Sequence, residues 1–212
     1  MKILAFAATA AALCFCFNAN AELKGANSNE YVAKVQKANE KLTTMQCSFV
    51  RKTKMAALND VVSEKGTFYF SNPDNLSMKY DNGENFVITA DNVSLTVGGK
   101  ARTLRSGNRH VEELSETLIA CVRGLVSSID GTLKSGKVQG KNIVFKISSE
   151  LKVGRSEVNS IELTYDKTDF SLVSLNLIEK DGSYTIYELG TKTKGSKIDS
   201  SVFQHANPKK KK

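Results

Sequence analysis

Hydrophobic and polar positions alternate with a period of two along much of this chain, most clearly between residues 64 and 97. Phe68 and Phe70 fall on one face of a first run, Leu76, Met78 and Tyr80 on one face of a second, Phe86 and Ile88 of a third, and Val93, Leu95 and Val97 of a fourth. Successive side chains point to opposite faces of a strand, so the pattern predicts four strands, each apolar on one side and small or polar on the other. Turn residues separate them: Asn72-Pro73-Asp74, Asp81-Asn82-Gly83 and Asp91-Asn92. Such residues fix φ or tolerate positive φ at low cost, and the segment reads as an up-and-down antiparallel meander. Periodicity leaves open whether its apolar face is a plain core or the lining of a cavity.

Elsewhere the pattern changes period twice. Tyr31, Val35, Ala38, Leu42 and Met45 recur at three- and four-residue steps and predict a helix over residues 28–44. Asn27 followed three residues later by Glu30 suits its start. A second helix is expected over residues 111–129, where Leu114, Leu118, Cys121, Leu125 and Ile129 form one stripe and Ile119, Val122 and Val126 widen it. So broad an apolar arc must be covered on two sides, which suits either a helix sandwiched in a core or one that closes a cavity.

Strands fill the remainder. One is expected over residues 47–58, between the first helix and the meander, and another over residues 100–106 after the Gly98-Gly99 turn. Residues 131–140 read as a loose polar stretch. A second antiparallel series follows, with Ile143, Phe145 and Ile147, then Ile161, Leu163 and Tyr165, then Val173, Leu175 and Leu177, then Tyr187 and Leu189 each sharing a face. The expected fold is mainly β with α (α+β): a curved antiparallel half-open β-barrel of about ten strands covered by helices.

The ends of the chain set its location. A positive start at Met1-Lys2, an apolar run over residues 3–17 and the small-x-small triplet Ala19-Asn20-Ala21 predict a cleaved signal peptide over residues 1–21. Cys14 and Cys16 follow bulky residues, which disfavours lipidation there. The expected product is an exported, soluble monomer with one domain over residues 22–205 and a basic tail over 206–212 that ends in Lys209 to Lys212. The formal charge of +8 owes half to that tail, and aromatic residues are not interleaved with the other basic ones, so a nucleic-acid surface is not expected. Cys47 and Cys121 either pair or stay as buried thiols.

Candidate chemistry is sparse. The two histidines are His110, before the second helix, and His205, near the tail. The sequence contains no nucleophile elbow, HExxH, P-loop or GxGxxG turn, and its acidic residues sit where helix starts and hairpin turns want them. The expectation is a binding protein, not an enzyme, with no metal and no cofactor.

The succession of motifs resembles the LolA family of periplasmic lipoprotein carriers. It comprises an amphipathic N-terminal helix, a strand with Ser48-Phe49 near its start, Gly66-Thr67-Phe68-Tyr69-Phe70 leading to Pro73, Phe86-Val87-Ile88-Thr89-Ala90-Asp91, and a closing Ile198-Asp199 with Val202-Phe203. The resemblance implies an unclosed curved sheet whose hydrophobic cavity, covered by helices, holds the acyl chains of lipoproteins. It also implies loading by an inner-membrane lipoprotein-releasing ABC transporter and delivery to an outer-membrane acceptor. The cavity would be lined by Phe68, Phe70, Met78, Tyr80, Phe86, Ile88, Leu95 and Val97 from the sheet and by Leu114, Leu118, Val122 and Leu125 from the second helix. The family's lid-latch position, an Arg before the Pro in proteobacterial members, is occupied by Asn72, which carries no charge. A lipid- or envelope-stress-sensing regulatory domain on the same fold, and a structural domain whose sheet is filled by its own side chains, are the alternatives.

Overall fold

The computed structural model describes residues 20–23, 26–90, 92–98, 100–104, 109–153 and 156–205. The expected signal peptide (but for its last two residues) and basic tail, and turn residues Asp91 and Gly99, lie outside the described residues. The elements run β1 (Asn20–Leu23), α1 (Ala26–Asn39), β2 (Thr44–Lys54), β3 (Val61–Ser71), β4 (Asn75–Tyr80), β5 (Asn85–Ile88), β6 (Val93–Val97), β7 (Lys100–Leu104), α2 (Arg109–Arg123), β8 (Thr132–Gln139), β9 (Asn142–Ser148), β10 (Lys152–Val153), β11 (Ser156–Asp166), β12 (Leu172–Glu179), β13 (Tyr184–Leu189) and β14 (Thr193–Lys194), with short 3-10 turns at Val126–Ser128 and Ser200–Phe203.

All ladders are antiparallel, and 12 strands form an open curved path, β1-β8-β9-β11-β12-β13-β2-β3-β4-β5-β6-β7, with β10 beside β11 and β14 beside β2. The sheet consists of two meanders stitched along β2 and β13, where Phe49 pairs with Leu189 and Lys54 with Tyr184. One face of this path carries the main core together with α1 and α2. α1 lies against α2, β1 and β8, while α2 reaches β10 and β12.

Several element boundaries differ from the sequence expectation, and the ends of both helices do so for a local reason. α1 ends at Asn39, not residue 44: the buried Asn39 amide donates to Val35 O at 2.9 Å and to Phe170 O at 2.8 Å, and the Leu42 N–H turns back to Asn39 O. Leu42 and Met45, which continued the helical stripe in sequence, belong to the turn and to β2. α2 ends at Arg123 because Gly124 takes φ +69 and its flanking N–H groups close a Schellman cap, Leu125 to Ala120 O at 2.9 Å and Gly124 to Cys121 O at 3.3 Å. A Cβ at 124 would also lie 2.8 Å from Val35 Cγ1, so the glycine lets the two helices approach. The expected first strand begins three residues earlier and stops at Lys54, with residues 55–58 forming an exposed turn.

The stretch expected to be loose is strand β8. Its composition is poor for a strand, yet Gly136 and Val138 turn inward, and the absent side chain of Gly136, which pairs with Phe145, leaves room for Ser28 of α1, whose Oγ would lie 2.9 Å from a Cβ there. In β12 the buried set is Leu172, Leu175 and Leu177, with Val173 half-buried, because a register shift beside Tyr165 displaces the alternation.

The opposite face of the second half of the first meander is covered as well. Ser77, Val87 and Ser94 are cross-strand neighbours and all are buried, under a C-terminal segment whose 3-10 turn packs on β4. The ring of His205 hydrogen-bonds through Nδ1 with Ser94 Oγ at 2.7 Å and through Nε2 with Thr89 Oγ1 at 2.9 Å.

Candidate functional site

The register of the first meander lays its apolar residues in rows across the strands. Cys47, Phe68, Met78, Phe86 and Leu95 are consecutive partners in one row, and Met45, Phe70, Leu76, Ile88 and Val93 in the next. Side chains in one row touch across neighbouring strands about 5 Å apart, so each row is a continuous apolar track. From the second meander, Phe145, Leu163 and Leu175 make a comparable track that runs through Tyr187 to Arg51 and Glu64. Over these tracks α2 places Leu118 and Val122, both buried in the same cluster.

Of the twelve lining residues expected from sequence, Phe68, Phe70, Met78, Tyr80, Ile88, Leu118 and Val122 are buried in that cluster. Phe86, Leu114 and Leu125 are half-buried and packed against it, which makes them its rim. Leu95 is half-buried in the row of Phe86. Val97 departs from the expectation: it is 47% exposed, because β6 ends there and its partner Lys100 lies just beyond the turn into β7. Leu125 belongs to the turn after α2, not to the helix itself.

Asn72, at the position of the family's latch, is exposed in the β3–β4 turn, where its N–H donates to Thr43 O at 2.8 Å. The helices are tied to the sheet from the second meander instead. The hydroxyl of Tyr165, on β11, donates to Cys121 O of α2 at 2.7 Å, with both residues fully buried. Asn39 ties α1 to Phe170 O, whose residue takes φ 54 in the β11–β12 hairpin. Neither tie has a periodic signature in sequence, since Tyr165 and Asn39 each read as one more inward-facing or capping residue.

A polar cluster interrupts the apolar tracks near the β2–β3 hairpin. Arg51 pairs with Glu64 through Nε, at 2.8 Å, and through its terminal nitrogen, and its guanidinium lies 4.7 Å from the centre of the Tyr80 ring. Asn82 of the β4–β5 turn donates to the other Glu64 oxygen at 3.0 Å. The arrangement lets a charge pair sit at the edge of an apolar face without an unpaired ion. The β2–β3 register makes Arg51 and Glu64 directly facing residues, a pairing that the sequence expectations did not include.

The thiols of Cys47 and Cys121 are buried and free. Burial pushes the Cys47 thiol up to about 11 and the Cys121 thiol higher still, so both stay protonated at neutral pH. Among the described residues no cluster of His, Cys, Asp and Glu is placed to hold a metal, and no helix is long and apolar enough to cross a membrane.

The family model described as outer membrane lipoprotein carrier protein LolA matches residues 40–206. A search of curated protein sequences finds no match. Among solved structures, a DUF1329 family protein from Desulfovibrio piger is 10% identical with a TM-score of 0.50, covering 83% of this chain and 95% of that one. A conserved protein from Thermus thermophilus is 11% identical with a TM-score of 0.50, over 86% and 95% of the two chains. A LolA superfamily protein from Nitrosomonas europaea is 10% identical with a TM-score of 0.42, over 83% and 96%. At such identities the structures speak to the fold alone, whereas the family match spans β2 through the C-terminal segment: the chain belongs to the LolA family, as a divergent member.

Proposed function

We propose that this protein is an exported periplasmic carrier that binds the acyl chains of lipoproteins between its sheet and helices and conveys them from an inner-membrane ABC transporter towards an outer-membrane acceptor. The observation that supports it is the continuity of the apolar face. Rows of cross-strand neighbours from both meanders and the buried side of α2 form one cluster, with Phe86, Leu114 and Leu125 at its rim. Each methylene shielded from water contributes roughly 0.8 kcal/mol, so an acylated protein crossing an aqueous compartment needs such a face. No covalent chemistry is required of the carrier.

The face is closed in this structure. Phe70, Cys121 and Tyr165 have no exposure, and acyl chains therefore enter only as α2 moves away from the sheet. The Tyr165–Cys121 hydrogen bond joins α2 to the sheet and is broken by such a movement. Native mass spectrometry of the protein taken from a periplasm without detergent tests the proposal. Co-purified lipid or lipoprotein is the expected result. A bare protein mass, with no uptake of added fatty acid, would refute carriage and favour a regulatory domain on the same fold.

A further inference from the structure

We infer that the tip of the β2–β3 hairpin is a membrane-docking element that inserts into the headgroup region of a bilayer containing anionic lipid. Met55, Leu58, Val61 and Val62 are 57%, 53%, 46% and 59% exposed, and the only other strongly exposed large hydrophobic among the described residues is Val97. Four such side chains within one eight-residue hairpin tip, with Ala56 and Ala57 also exposed between them, are not the scattered single exposures that an ordinary surface shows.

The tip is held rigidly. Its strands stay paired out to Lys54 and Val61, the Ala56 N–H donates to the Ser183 hydroxyl at 2.9 Å, and the Leu58 N–H closes on Met55 O at 3.0 Å. A preformed apolar tip enters an interface without the cost of ordering a loop. Behind it, Lys52, Lys54 and Lys65 share the outer face of the hairpin stem, because Lys65 pairs with Val50 and Val50 alternates with the two lysines of β2. Lys52 also meets Glu188 at 2.8 Å. Lys54 lies one residue behind the apolar tip and Lys52 and Lys65 three residues behind it, and such long basic side chains reach phosphate oxygens while the tip sits among the acyl carbonyls. Asp60, in the turn itself, limits the depth to the headgroup layer.

The shape favours a bilayer over a protein surface. A stable protein interface buries about 800 Å² on each partner around a central anchor, which a narrow two-stranded tip does not offer. The chain's basic surplus, of which residues 209–212 supply four charges, adds a long-range attraction to an anionic surface. The inference stands apart from acyl-chain binding, since the tip residues lie outside the core cluster.

The chain contains no tryptophan, so Leu58→Trp installs a single indole reporter at the tip. The full chain would be mixed with vesicles of phosphatidylethanolamine with or without phosphatidylglycerol. The expected result is a blue-shifted emission with phosphatidylglycerol present. In flotation with the native residue, a Met55→Ser, Leu58→Ser variant should lose about tenfold in partition, and a Lys54→Glu, Lys65→Glu variant should bind vesicles with and without phosphatidylglycerol alike. Circular dichroism and binding of a fluorescent fatty acid, measured in parallel, should stay at native levels in both variants and so report the acyl-chain face separately. An unshifted emission, undiminished flotation of the serine variant, or flotation of the native chain that is indifferent to phosphatidylglycerol would each overturn the inference.

Discussion

Phe49 and Tyr80 meet edge to face across Gly66, their ring centres 4.9 Å apart at 88°. Gly66 stands between them in register, paired with Phe49 on one side and Tyr80 on the other. A Cβ at 66 would lie 2.8 Å from Phe49 Cε1 and would collide with Lys79 O. This gives a physical reason for the glycine that opens the Gly66-Thr67-Phe68-Tyr69-Phe70 motif and for the phenylalanine of Ser48-Phe49. Gly66→Ala should destabilise the protein by about 1–3 kcal/mol, the usual cost of overpacking, read as a lowered urea midpoint at unchanged slope.

Replacing Tyr165 by Phe removes the hydrogen bond to Cys121 O while preserving ring volume. The carbonyl keeps only the longer contact from Gly124 N–H. The expected loss is about 1 kcal/mol, with faster amide exchange in α2 than in the sheet and quicker uptake of a fluorescent fatty acid. Exchange that accelerates uniformly over the molecule would mean that Tyr165 supports the fold in general and does not hold the helix in particular.

Phe86→Asp separates a binding face from an ordinary core. Phe86 is half-buried at the rim, so the charge keeps access to water and the thermal melt should stay within a few degrees of native, whereas fatty-acid binding should fall by about tenfold or more. Leu118→Asp, in the closed part of the cluster, should lose both. Unfolding of the Phe86 variant would place that residue in the structural core.

Burial lowers the pKa of His205, whose ring is held between Ser94 and Thr89. The folded state therefore favours the neutral ring. Its contribution to stability is complete above the unfolded value near 6.5 and is lost as pH falls through the depressed folded value. Melting temperature should decline across that interval, and His205→Gln should flatten the decline.

Cys47 and Cys121 should resist a thiol reagent at pH 7 in the folded state and react fully in denaturant, because burial keeps both protonated. Rapid labelling of the native protein would show that the core opens on the timescale of the reaction.

The legible part of this fold was the part carried by alternation. Phe68, Met78 and Phe86 announce their strands because each lies two residues from another inward-facing apolar side chain, and the register then makes them neighbours. β8 was not legible, since Gly136 contributes by leaving space for Ser28 of α1, and an absent side chain has no hydrophobic signature. The end of α2 was written in Gly124, but an apolar stripe that runs on through Leu125, Val126 and Ile129 outweighs one glycine when only periodicity is counted. Contacts such as Arg51 with Tyr80 and Tyr165 with Cys121 depend on how distant strands and helices are brought together, which no local window contains. The exposed hairpin tip was hidden for the opposite reason: Met55 to Leu58 look like a strand, and only the pairing that ends at Lys54 turns them outward.

The seam between β2 and β13 also dictates an order of assembly. The partner of Phe49 is Leu189, so the middle of the sheet cannot form until nearly the whole chain is available. Closing a loop of that span precedes any reward from the contacts it creates, and sheets built this way fold slowly. The first meander can pair with itself early, yet its apolar face stays uncovered until α2 and the second meander arrive. A polypeptide with this topology commits to its native shape only once its last hairpin is available to close the seam.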